Sequence, residues 1–454
     1  MLIKKINTSY DSFELYTLFK DKQYSFFLDS GMDHEKLGKY SFIGFDPFLI
    51  FQSKNTKITI TKKHNTKTYT GNPFEKLKEL FSLYKMDYQT ELPFLGGAVG
   101  YFSYDLCHHI EKLPRTAVDD VNIPDCFLCF YDGIIIINHQ TDEVSIAALG
   151  IKDNAEKIIS DIENIIKSKA LPKIESSKEK KALSLQSNFK KEDYLKAIHK
   201  IKDYIQSGDI YQANLTQRFS CSIYEHPISI YKRLREINPA PFASFLDYGD
   251  FHIVSSSPER FIKIKGNIIE TRPIKGTIPR GKSLIEDTKN KETLLSSEKD
   301  KAELLMIVDL ERNDLSKISK TNSVKVTELF HLEAYPTVYH LVSTIIGEIK
   351  DEYDIIDCIK SAFPGGSITG APKIRAMQII DELEPTQRNI YTGSIGYIGF
   401  NGDIDLNIVI RTMLCKNNTA YFQAGGGIVW DSDANLEYEE TLHKAKALIK
   451  ALEG

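Results

Sequence analysis

Two pairs of acidic residues are spaced as they would be on one face of a helix. Asp300 and Glu303 are three residues apart in one predicted helix, and Glu437 and Glu440 are three apart on or just before another. This spacing places both carboxylates of a pair on the same helix face. Two facing pairs would form an all-oxygen site that suits magnesium, which takes one or two protein carboxylates and keeps several waters. Either pair alone is more typical of solvated helix surface.

Two glycine-rich segments offer backbone amides to an anion. Residues 363–373 precede a predicted helix that has Pro372 near its first turn, and free amides at a helix start favour an anion. Gly425, Gly426 and Gly427 follow a predicted strand, and successive glycines let their N–H groups form an anion nest. An ordinary loop-to-helix turn explains the first segment equally well.

Cationic and hydroxyl side chains near the three glycines add to this anion-binding capacity. Arg411 lies on the predicted strand 405–414, and Tyr397 lies on the strand before it. Lys444 follows Glu440 by four residues, on the same helix face. A guanidinium can clamp a carboxylate, and a phenol can donate a hydrogen bond to it. These elements favour a small substrate with several carboxylates, which the residues alone do not identify.

The elements that carry these residues are of mixed α/β class. A strand-rich first region extends to about residue 165, and a second region that mixes helices and strands begins near residue 190. The lysine-rich segment 171–181 between them is predicted to be an exposed linker. Helices are predicted at residues 72–81, 153–168, 191–207, 300–310 and 438–452. Strands are predicted at residues 251–255, 261–264, 268–271, 391–400, 405–414 and 420–424.

The composition is that of an ordinary globular chain. The 454 residues include 58 basic and 62 acidic side chains, a net charge of -4, which gives no indication of a nucleic-acid partner. The six cysteines are scattered, and Cys126 and Cys129 lie in an apolar run that predicts buried strand thiols rather than a zinc site. Neither a signal peptide nor a membrane-length apolar stretch is present, so we expect a cytoplasmic protein with no membrane contact.

Ordered motifs along nearly the whole chain resemble those of the chorismate-utilising enzymes. The resemblance is strongest between residues 204 and 446. It is carried by GDIYQANLTQRF from Gly208, SPERF from Ser257, TRPIKGT from Thr271, MIVDLERNDL from Met306, GGSITGAPK from Gly365, EYEETLHKA from Glu437 and, in the first region, FLGGAVGYF from Phe94. The resemblance implies an α/β sandwich of two antiparallel sheets flanked by helices, with the active site in a cleft. It also implies an amino-terminal domain at residues 1–170 and a catalytic domain at 186–454.

The resemblance further implies which residues contact the substrate and a magnesium ion. Direct metal ligands are implied at Glu303 and Glu440, and holders of metal-bound water at Asp300 and Glu437, although several relatives carry glutamate in place of Asp300. Carboxylate-binding positions are implied at Tyr397, Arg411, Lys444 and the amides of Gly425, Gly426 and Gly427. Positions near the departing ring hydroxyl are implied at His340 and Thr369.

Lys275 separates the branches of this family. Anthranilate synthases usually read PIAGT where this chain reads PIKGT, so the resemblance favours the branch that aminates chorismate at carbon 4, for 4-aminobenzoate and folate synthesis. Lys275 is then a covalent nucleophile, which requires burial or nearby cations to lower its pKa. Three alternatives remain open: an anthranilate synthase component I, an isochorismate or salicylate synthase, and a subunit without catalysis that only binds an amidotransferase.

The resemblance also implies an ammonia-supplying partner. None of the six cysteines has the glycine-flanked setting of a glutaminase nucleophile, so we expect a separate glutamine amidotransferase subunit. A second expectation concerns Ser30, which lies where related anthranilate enzymes bind tryptophan as a feedback inhibitor. A plain strand and turn explains that segment equally well.

Overall fold

The strands of the chain assemble into two large antiparallel sheets. The structure is a computed structural model and describes residues 1–32, 36–63, 65–88, 90–174, 183–335 and 338–454. Within these residues each sheet contains twelve strands, and helices flank the sheets. The predicted fold class of two antiparallel sheets with flanking helices is therefore confirmed.

The elements are labelled in chain order. The strands of the first region are β1 (Leu2–Ile6), β2 (Phe26–Asp29), β3 (Tyr40–Gly44), β4 (Leu49–Lys54), β5 (Lys57–Lys62), β6 (Asn65–Thr70), β7 (Gly97–Phe102), β8 (Cys126–Tyr131), β9 (Gly133–Asn138) and β10 (Glu143–Ala148). The later strands are β11 (Gln186–Ser187), β12 (Gln212–Ser222), β13 (Phe242–Asp247), β14 (Phe251–Ser257), β15 (Arg260–Lys265), β16 (Ile268–Arg272), β17 (Ile274–Pro279), β18 (Lys325–Ala334), β19 (Val338–Glu348), β20 (Gly370–Ala371), β21 (Ser394–Gly399), β22 (Ile404–Asn407), β23 (Thr412–Lys416) and β24 (Thr419–Ile428).

The helices cover the outer faces and one end of the sheets. They are α1 (Ser12–Thr17), α2 (Pro73–Tyr84), α3 (Ala155–Ser168), α4 (Lys191–Gln206), α5 (Pro227–Ile237), α6 (Leu284–Ser296), α7 (Glu298–Ile318), α8 (Ile355–Ala362), α9 (Lys373–Leu383) and α10 (Ala434–Glu453), with short 3-10 turns at Tyr104–His109 and Gly366–Ile368. Among the described residues no helix is long and apolar enough to cross a bilayer.

The amino-terminal and carboxy-terminal regions share both sheets. The first sheet runs β1-β10-β9-β3-β2-β13-β14-β23-β24-β12-β11, with β20 beside β12. The second runs β17-β19-β16-β15-β22-β21-β7-β8-β4-β5-β6, with β18 beside β19. Each sheet thus combines five strands from residues 1–170 with seven from residues 186–454. The domain limits at 170 and 186 stay a prediction.

The core explains why these segments become strands. Strands β7 and β8 are buried along their whole length because both of their faces are covered. Cys126 and Cys129 are free thiols in buried β8, as predicted. On α2, Phe74, Leu77 and Phe81 recur at helical spacing and pack into the same core, which confirms the helix predicted there.

One predicted strand is wrong in a way that matters for the site. Residues 405–414 were expected to form a single strand, but β22 pairs in the second sheet and β23 in the first. The chain crosses between the sheets at residues 408–411, and Arg411 has a φ of +52°, which interrupts the extended backbone. Arg411 therefore lies at the crossing, between the sheets, and not on a strand.

The other predicted elements are confirmed with shifted ends. Helices α3 and α4 match the periodic segments, and Gly208 follows α4 with a φ of +81°, as expected of a helix-ending glycine. The strand expected at 391–400 begins only at Ser394. The two acidic helices extend further than predicted, so Glu437 lies inside α10. Residues 175–182 of the predicted linker lie outside the described residues.

Candidate active site

Each acidic pair lies in or close to the first turn of its helix. Ser297 caps α7 by accepting a hydrogen bond from the Asp300 amide, and Asp433 caps α10 by accepting from two amides. Capping fixes the helix starts and therefore the directions of the carboxylates that follow. The positive end of a helix dipole also stabilises carboxylates placed there. The structure thus confirms that each pair is helical.

The three consecutive glycines lie inside a strand rather than after it. Gly425, Gly426 and Gly427 belong to β24 and are opposite Thr216, Leu215 and Asn214 of β12. Their N–H groups therefore alternate in direction as they do in any strand. The nest conformation expected here is not adopted, because the ladder with β12 keeps these residues extended. That their amides bind a substrate carboxylate stays a prediction.

The glycines instead make room for the acidic residues. A Cβ atom on Gly426 would lie 3.0 Å from Oε2 of Glu437 and 3.7 Å from Oε1 of Glu440. A Cβ atom on Gly427 would lie 3.0 Å from Oε1 of Glu303. Carboxylates of α7 and α10 therefore meet over the same two glycines, which brings Glu303, Glu437 and Glu440 together as predicted.

Lys275 reaches this acidic cluster from β17. Its Nζ lies 2.8 Å from Oε1 of Glu303, and both side chains are largely buried. Burial lowers the pKa of Lys275, but the nearby carboxylates of Glu303, Glu259 and Glu440 outweigh it and raise the pKa above its ordinary value. Burial alone would raise the pKa of Glu303. The charge of Lys275 and the hydrogen bonds from Lys275 and Gln212 outweigh burial, so the pKa of Glu303 is lowered.

Asp300 lies close to the same strand. A Cβ atom on Gly276 would lie 3.0 Å from both Cβ and Cγ of Asp300, and Gly276 has a φ of +73°. Glycine at this position is therefore required both by the backbone and by the approach of α7. Asp300 is thus placed beside the residue that follows Lys275.

The carboxylates gathered at this site suit a magnesium ion that is bound by few protein ligands and several waters. Among the described residues no three His, Cys, Asp or Glu side chains are arranged to ligate one metal. Magnesium, however, usually takes one or two carboxylates and completes its shell with waters and ligand oxygens. Glu303 and Glu440 provide two such carboxylates, while Glu437 is held by the hydroxyl of Ser432. The buried Oε1 of Gln212, which has no hydrogen-bond partner among the described residues, adds an acceptor for a water.

Glu259 is a second buried acid that sequence reasoning missed. Burial raises the pKa of Glu259 above its ordinary value despite the opposing effect of Ser367 and of the Lys275 charge. Its Oε1 accepts a weak hydrogen bond from the amide of Ile274, the residue before Lys275. The SPERF motif could have indicated this residue, because it places an acidic side chain between the end of β14 and the start of β15.

A cavity of about 280 Å³ opens between β17, β19, α5 and α10. Thr277, His340, Arg411 and Lys444 line it. The Nδ1 atom of His340 lies 2.8 Å from the hydroxyl of Thr277. Burial, together with the charge of Arg411, lowers the pKa of His340 to about 4, so the ring is neutral at physiological pH. His340, Arg411 and Lys444 are therefore brought together as predicted.

The positions of Lys444 and Thr369 are fixed by backbone contacts. Nζ of Lys444 lies 2.6 Å from Oε1 of Glu440 and donates to the carbonyl of Gly425 at 2.9 Å. Thr369 is fully buried, and its hydroxyl donates to the carbonyl of Gly365 at 3.0 Å. Thr369 therefore stabilises the glycine-rich loop and does not line the cavity.

That loop is anchored by a lysine, and anion binding at the start of the helix that follows it stays a prediction. Lys373, at the start of α9, pairs with buried Asp314 and donates to the carbonyls of Ala362 and Pro364. The helix predicted after residues 363–373 is confirmed. The described contacts of Lys373 hold its start against α7 and α8.

Tyr397 does not belong to the cavity that holds Arg411. Its ring stacks on Phe94 at 4.5 Å between centroids and meets Phe42 of the first sheet edge-on at 5.5 Å. The phenol beside Arg411 is Tyr391: burial raises the Tyr391 pKa to about 12, against the lowering effect of nearby Arg388 and Arg411. The sequence-based assignment of Tyr397 is wrong because β21 begins only at Ser394, which leaves Tyr391 in the turn that faces the crossing at Arg411.

Tyr397 and Ser30 instead share a separate cavity of about 280 Å³ between the amino-terminal strands and the second sheet. The Ser30 hydroxyl donates to the carbonyl of Tyr40 at 2.6 Å. The polar residues that line this cavity also include Arg260, Asp405 and Asn407. Arg260 forms a bidentate pair with Asp405, which holds the floor of the cavity in one arrangement.

Comparison with known proteins gives a consistent family. Residues 23–450 match the family model of the chorismate binding enzymes. Anthranilate synthase component 1 of Acetivibrio thermocellus is 40% identical, over 97% of this chain and 92% of the relative. Aminodeoxychorismate synthase component 1 of Bacillus subtilis is also 40% identical, over 99% of this chain and 96% of the relative. Identity alone therefore does not distinguish between these two reactions.

The fold leads to the same family. The crystal structure of anthranilate synthase component I from Streptococcus pneumoniae superposes with a TM-score of 0.82 at 33% identity, and the match covers 90% of this chain and 92% of that one. The matched range includes all of the residues of the cleft described above, from Glu259 to Lys444. Because sequence and fold agree over nearly its whole length, this chain belongs to the chorismate binding enzyme family.

Proposed function

We propose that this chain aminates chorismate at ring carbon 4 and forms 4-amino-4-deoxychorismate. The observation that carries the proposal is the position of Lys275, whose amine is buried at the acidic cluster, 2.8 Å from Oε1 of Glu303. A lysine without a functional or structural partner usually lies at the protein surface, where water solvates its charge. A buried lysine beside a catalytic cleft is suited to nucleophilic catalysis once its proton is lost.

The proposed reaction proceeds in two displacements whose atoms balance. The neutral amine of Lys275 attacks carbon 2 of the ring, the ring double bond shifts, and the hydroxyl on carbon 4 leaves as water with a proton from Glu259. Ammonia then adds at carbon 4, the double bond shifts back, and the lysine amine leaves carbon 2. The proton that the added ammonia loses returns to Glu259. One ammonia enters and one water leaves. Glu259 suits the role of acid because burial disfavours its charged form and raises its pKa.

The proton on Lys275 must be lost before the first displacement. In the structure the carboxylate of Glu303 stabilises the charged form of Lys275. Glu303 and Glu440 would hold a magnesium ion, with Asp300 and Glu437 on its waters. When bound, magnesium supplies positive charge that neutralises the ring carboxylate and orients the ring. Sharing Glu303 with a cation weakens its hold on the lysine proton, which favours the neutral amine.

The remaining groups of the cleft are suited to bind and orient a dicarboxylate. Arg411 and the phenol of Tyr391 lie together and can bind one carboxylate by a charged and a neutral hydrogen bond. Lys444 lies at the acidic cluster, where the ring carboxylate is expected. Neutral His340 can accept or donate a hydrogen bond to a ring hydroxyl without adding charge.

We further propose that a separate glutamine amidotransferase subunit supplies the ammonia. All six cysteines of this chain are free and buried. A glutaminase nucleophile must be exposed to its substrate and paired with a base. The relatives named component 1 are consistent with a second component that carries this activity.

The direct test is to incubate the purified chain with chorismate, magnesium chloride and ammonium chloride and to identify the products by chromatography with mass detection. We expect 4-amino-4-deoxychorismate without pyruvate, and 4-aminobenzoate when a lyase is added. Anthranilate with pyruvate would replace the proposal by the anthranilate alternative. Conversion of chorismate to isochorismate or salicylate without ammonium would indicate the third reaction type. No consumption of chorismate at all would leave only the non-catalytic alternative.

A further inference from the structure

We propose that Gln212 is a positioning residue that orients Glu303 toward a divalent cation and thereby sets the affinity of the site. The inference rests on the metal site of the proposed function and adds a residue to it. Gln212 begins β12, is only 1% exposed, and contacts neither of the anion-binding groups Arg411 and Tyr391 through any described hydrogen bond. Its side chain is directed at the acidic cluster.

The orientation of the Gln212 amide follows from its partner. The Nε2 atom donates to Oε1 of Glu303 at 2.6 Å. An ionised carboxylate only accepts hydrogen bonds, so the nitrogen and not the oxygen of the amide must face Glu303. The other amide atom, Oε1, is buried and has no hydrogen-bond partner among the described residues.

Both donors of Glu303 use the same carboxylate oxygen. Oε1 accepts from Gln212 and is also 2.8 Å from Nζ of Lys275. Within the described residues no hydrogen bond reaches Oε2 of Glu303. Two donors on one oxygen prevent rotation of the carboxylate and leave Oε2 free for a cation. Without Gln212, Lys275 alone would hold Glu303, and one donor does not fix the plane of a carboxylate.

The strand opposite is shaped for this glutamine. A Cβ atom on Gly427 would lie 1.8 Å from Nε2 of Gln212, a distance that no packing tolerates. Gly427 therefore gives its side-chain space to the Gln212 amide. The unpartnered Oε1 of Gln212 needs a donor, because buried acceptors are nearly always satisfied. A water on a cation held by Glu303 would provide one.

Removal of an outer group of this kind typically weakens metal binding by about 10- to 100-fold. We therefore expect Gln212→Leu, which keeps the volume but loses the donor, to bind MgCl₂ and MnCl₂ about 10- to 100-fold more weakly in calorimetric titrations of the metal-stripped full-length chain. The magnesium concentration for half-maximal chorismate consumption should rise by the same factor, and kcat at saturating magnesium should be largely recovered.

Gln217→Leu is the matched control. Gln217 lies on the same strand, is fully buried and bonds with the hydroxyls of Ser187 and Thr441 instead of an acidic side chain. Its replacement should lower the melting temperature without changing magnesium affinity by more than about 2-fold. If Gln212 had only a structural role, Gln212→Leu and Gln217→Leu would both lower stability and neither would lower magnesium affinity specifically.

Gly427→Ala provides a second variant if Gln212→Leu does not fold. The added methyl group must displace the Gln212 amide, and it also lies 3.0 Å from Oε1 of Glu303, so magnesium binding should weaken at least as much as in Gln212→Leu. Unchanged affinity in Gln212→Leu, with a folded protein, would overturn the inference and leave the metal site intact. A wild-type chain that binds neither cation would instead remove the metal site of the proposed function.

Discussion

Nζ of Lys275 and Oε1 of Glu303 lie 2.8 Å apart, so the proposed nucleophile and a proposed metal ligand stabilise each other's charge. Sequence reasoning required burial to lower the pKa of this lysine, and burial does act in that direction. The neighbouring carboxylates outweigh it, because burial strengthens charge pairs as well as penalising single charges. Neutral Lys275 therefore depends on what else binds to Glu303.

Replacement of Lys275 should separate catalysis from folding. In Lys275→Ala we expect formation of the aminated product to fall by roughly 10³-fold or more, since a covalent nucleophile has no substitute in the cleft. Product formation is measured by chromatography with mass detection, and folding by circular dichroism. Lys325→Ala removes an exposed strand lysine and should keep full activity. An unchanged rate in Lys275→Ala would exclude this residue from the mechanism.

Glu259 is expected to act as the acid on the leaving hydroxyl. In Glu259→Gln, which keeps the size and the hydrogen-bond acceptor, kcat should fall by about 10²- to 10⁴-fold. Because burial raises the pKa of Glu259, its proton is present at low pH and is lost as the pH rises through that raised value. The wild-type rate should therefore decline on the alkaline side, and the residual rate of Glu259→Gln should lack this decline. A residual rate with the same alkaline limb would assign the titration to another group.

The acidic helices and the family could be predicted from sequence because both depend on local order. Glu303 and Glu440 follow capped helix starts, and their spacing fixes a shared face whatever the rest of the chain does. Lys275 was found through the short motif TRPIKGT, which is read from consecutive residues. None of these assignments required knowledge of how distant segments meet.

The assignments that failed depended on where the chain leaves a sheet. Tyr391 and Tyr397 are both tyrosines near a glycine-rich strand, and only the start of β21 at Ser394 decides which one faces Arg411. The space that Gly427 leaves for Gln212 could not be predicted, because the partner strand of Gly427 was unknown. Register between strands that are about 200 residues apart in sequence is set by tertiary packing, which a local pattern does not contain.

Glu311 should make stability decrease with rising pH. It is buried on α7, accepts a hydrogen bond from Thr271, and burial raises its pKa to about 8. The unfolded chain releases this proton near pH 4.5, whereas the folded chain keeps it to about pH 8. The unfolded state thus binds fewer protons over this range, and the free energy of unfolding falls by about 1.4 kcal/mol for each unit of difference in pKa, a few kcal/mol in total.

Glu311→Gln carries no such proton, so its stability relative to wild type should improve between pH 5 and pH 8.5. Urea unfolding of both proteins at several pH values measures this difference. Glu352→Gln, which changes an exposed carboxylate, serves as the control. A constant difference between Glu311→Gln and wild type over the whole range would show that Glu311 is already ionised in the folded protein.

The Ser30 cavity is proposed to bind an amino acid such as tryptophan. It is separate from the cleft, has a volume of about 280 Å³, and combines polar side chains with the ring of Tyr397. We expect heat in a calorimetric titration with tryptophan, and none in Ser30→Phe, whose ring fills the cavity. Absence of heat from the wild-type chain at millimolar tryptophan would leave the cavity without this role. The control is Ser168→Phe, which makes the same substitution on the surface of α3.

Lys446 and Lys450 are expected to attract the substrate to the cleft. Both lie on α10 and line the cavity that contains Arg411, and the described residues of that lining include no Asp or Glu. Neither lysine forms an ion pair with a described residue, so their charges are uncompensated at the entrance. Clefts lined by charge of one sign raise the association rate of an oppositely charged ligand, and salt screens the effect over a Debye length of about 8 to 10 Å.

The double substitution Lys446→Gln with Lys450→Gln should therefore lower kcat/KM for chorismate about 3- to 10-fold at low ionic strength, with little change in kcat. The difference should shrink to less than about 2-fold in roughly 0.5 M potassium chloride, because screening removes the attraction in the wild-type protein as well. Lys157→Gln with Lys167→Gln on α3 makes the same change in net charge far from the cleft and should leave kcat/KM unchanged. Consumption of chorismate is the readout, so the result does not depend on which product forms. Parallel salt dependences of the wild-type chain and the Lys446 and Lys450 double variant would show that these charges do not act on the substrate.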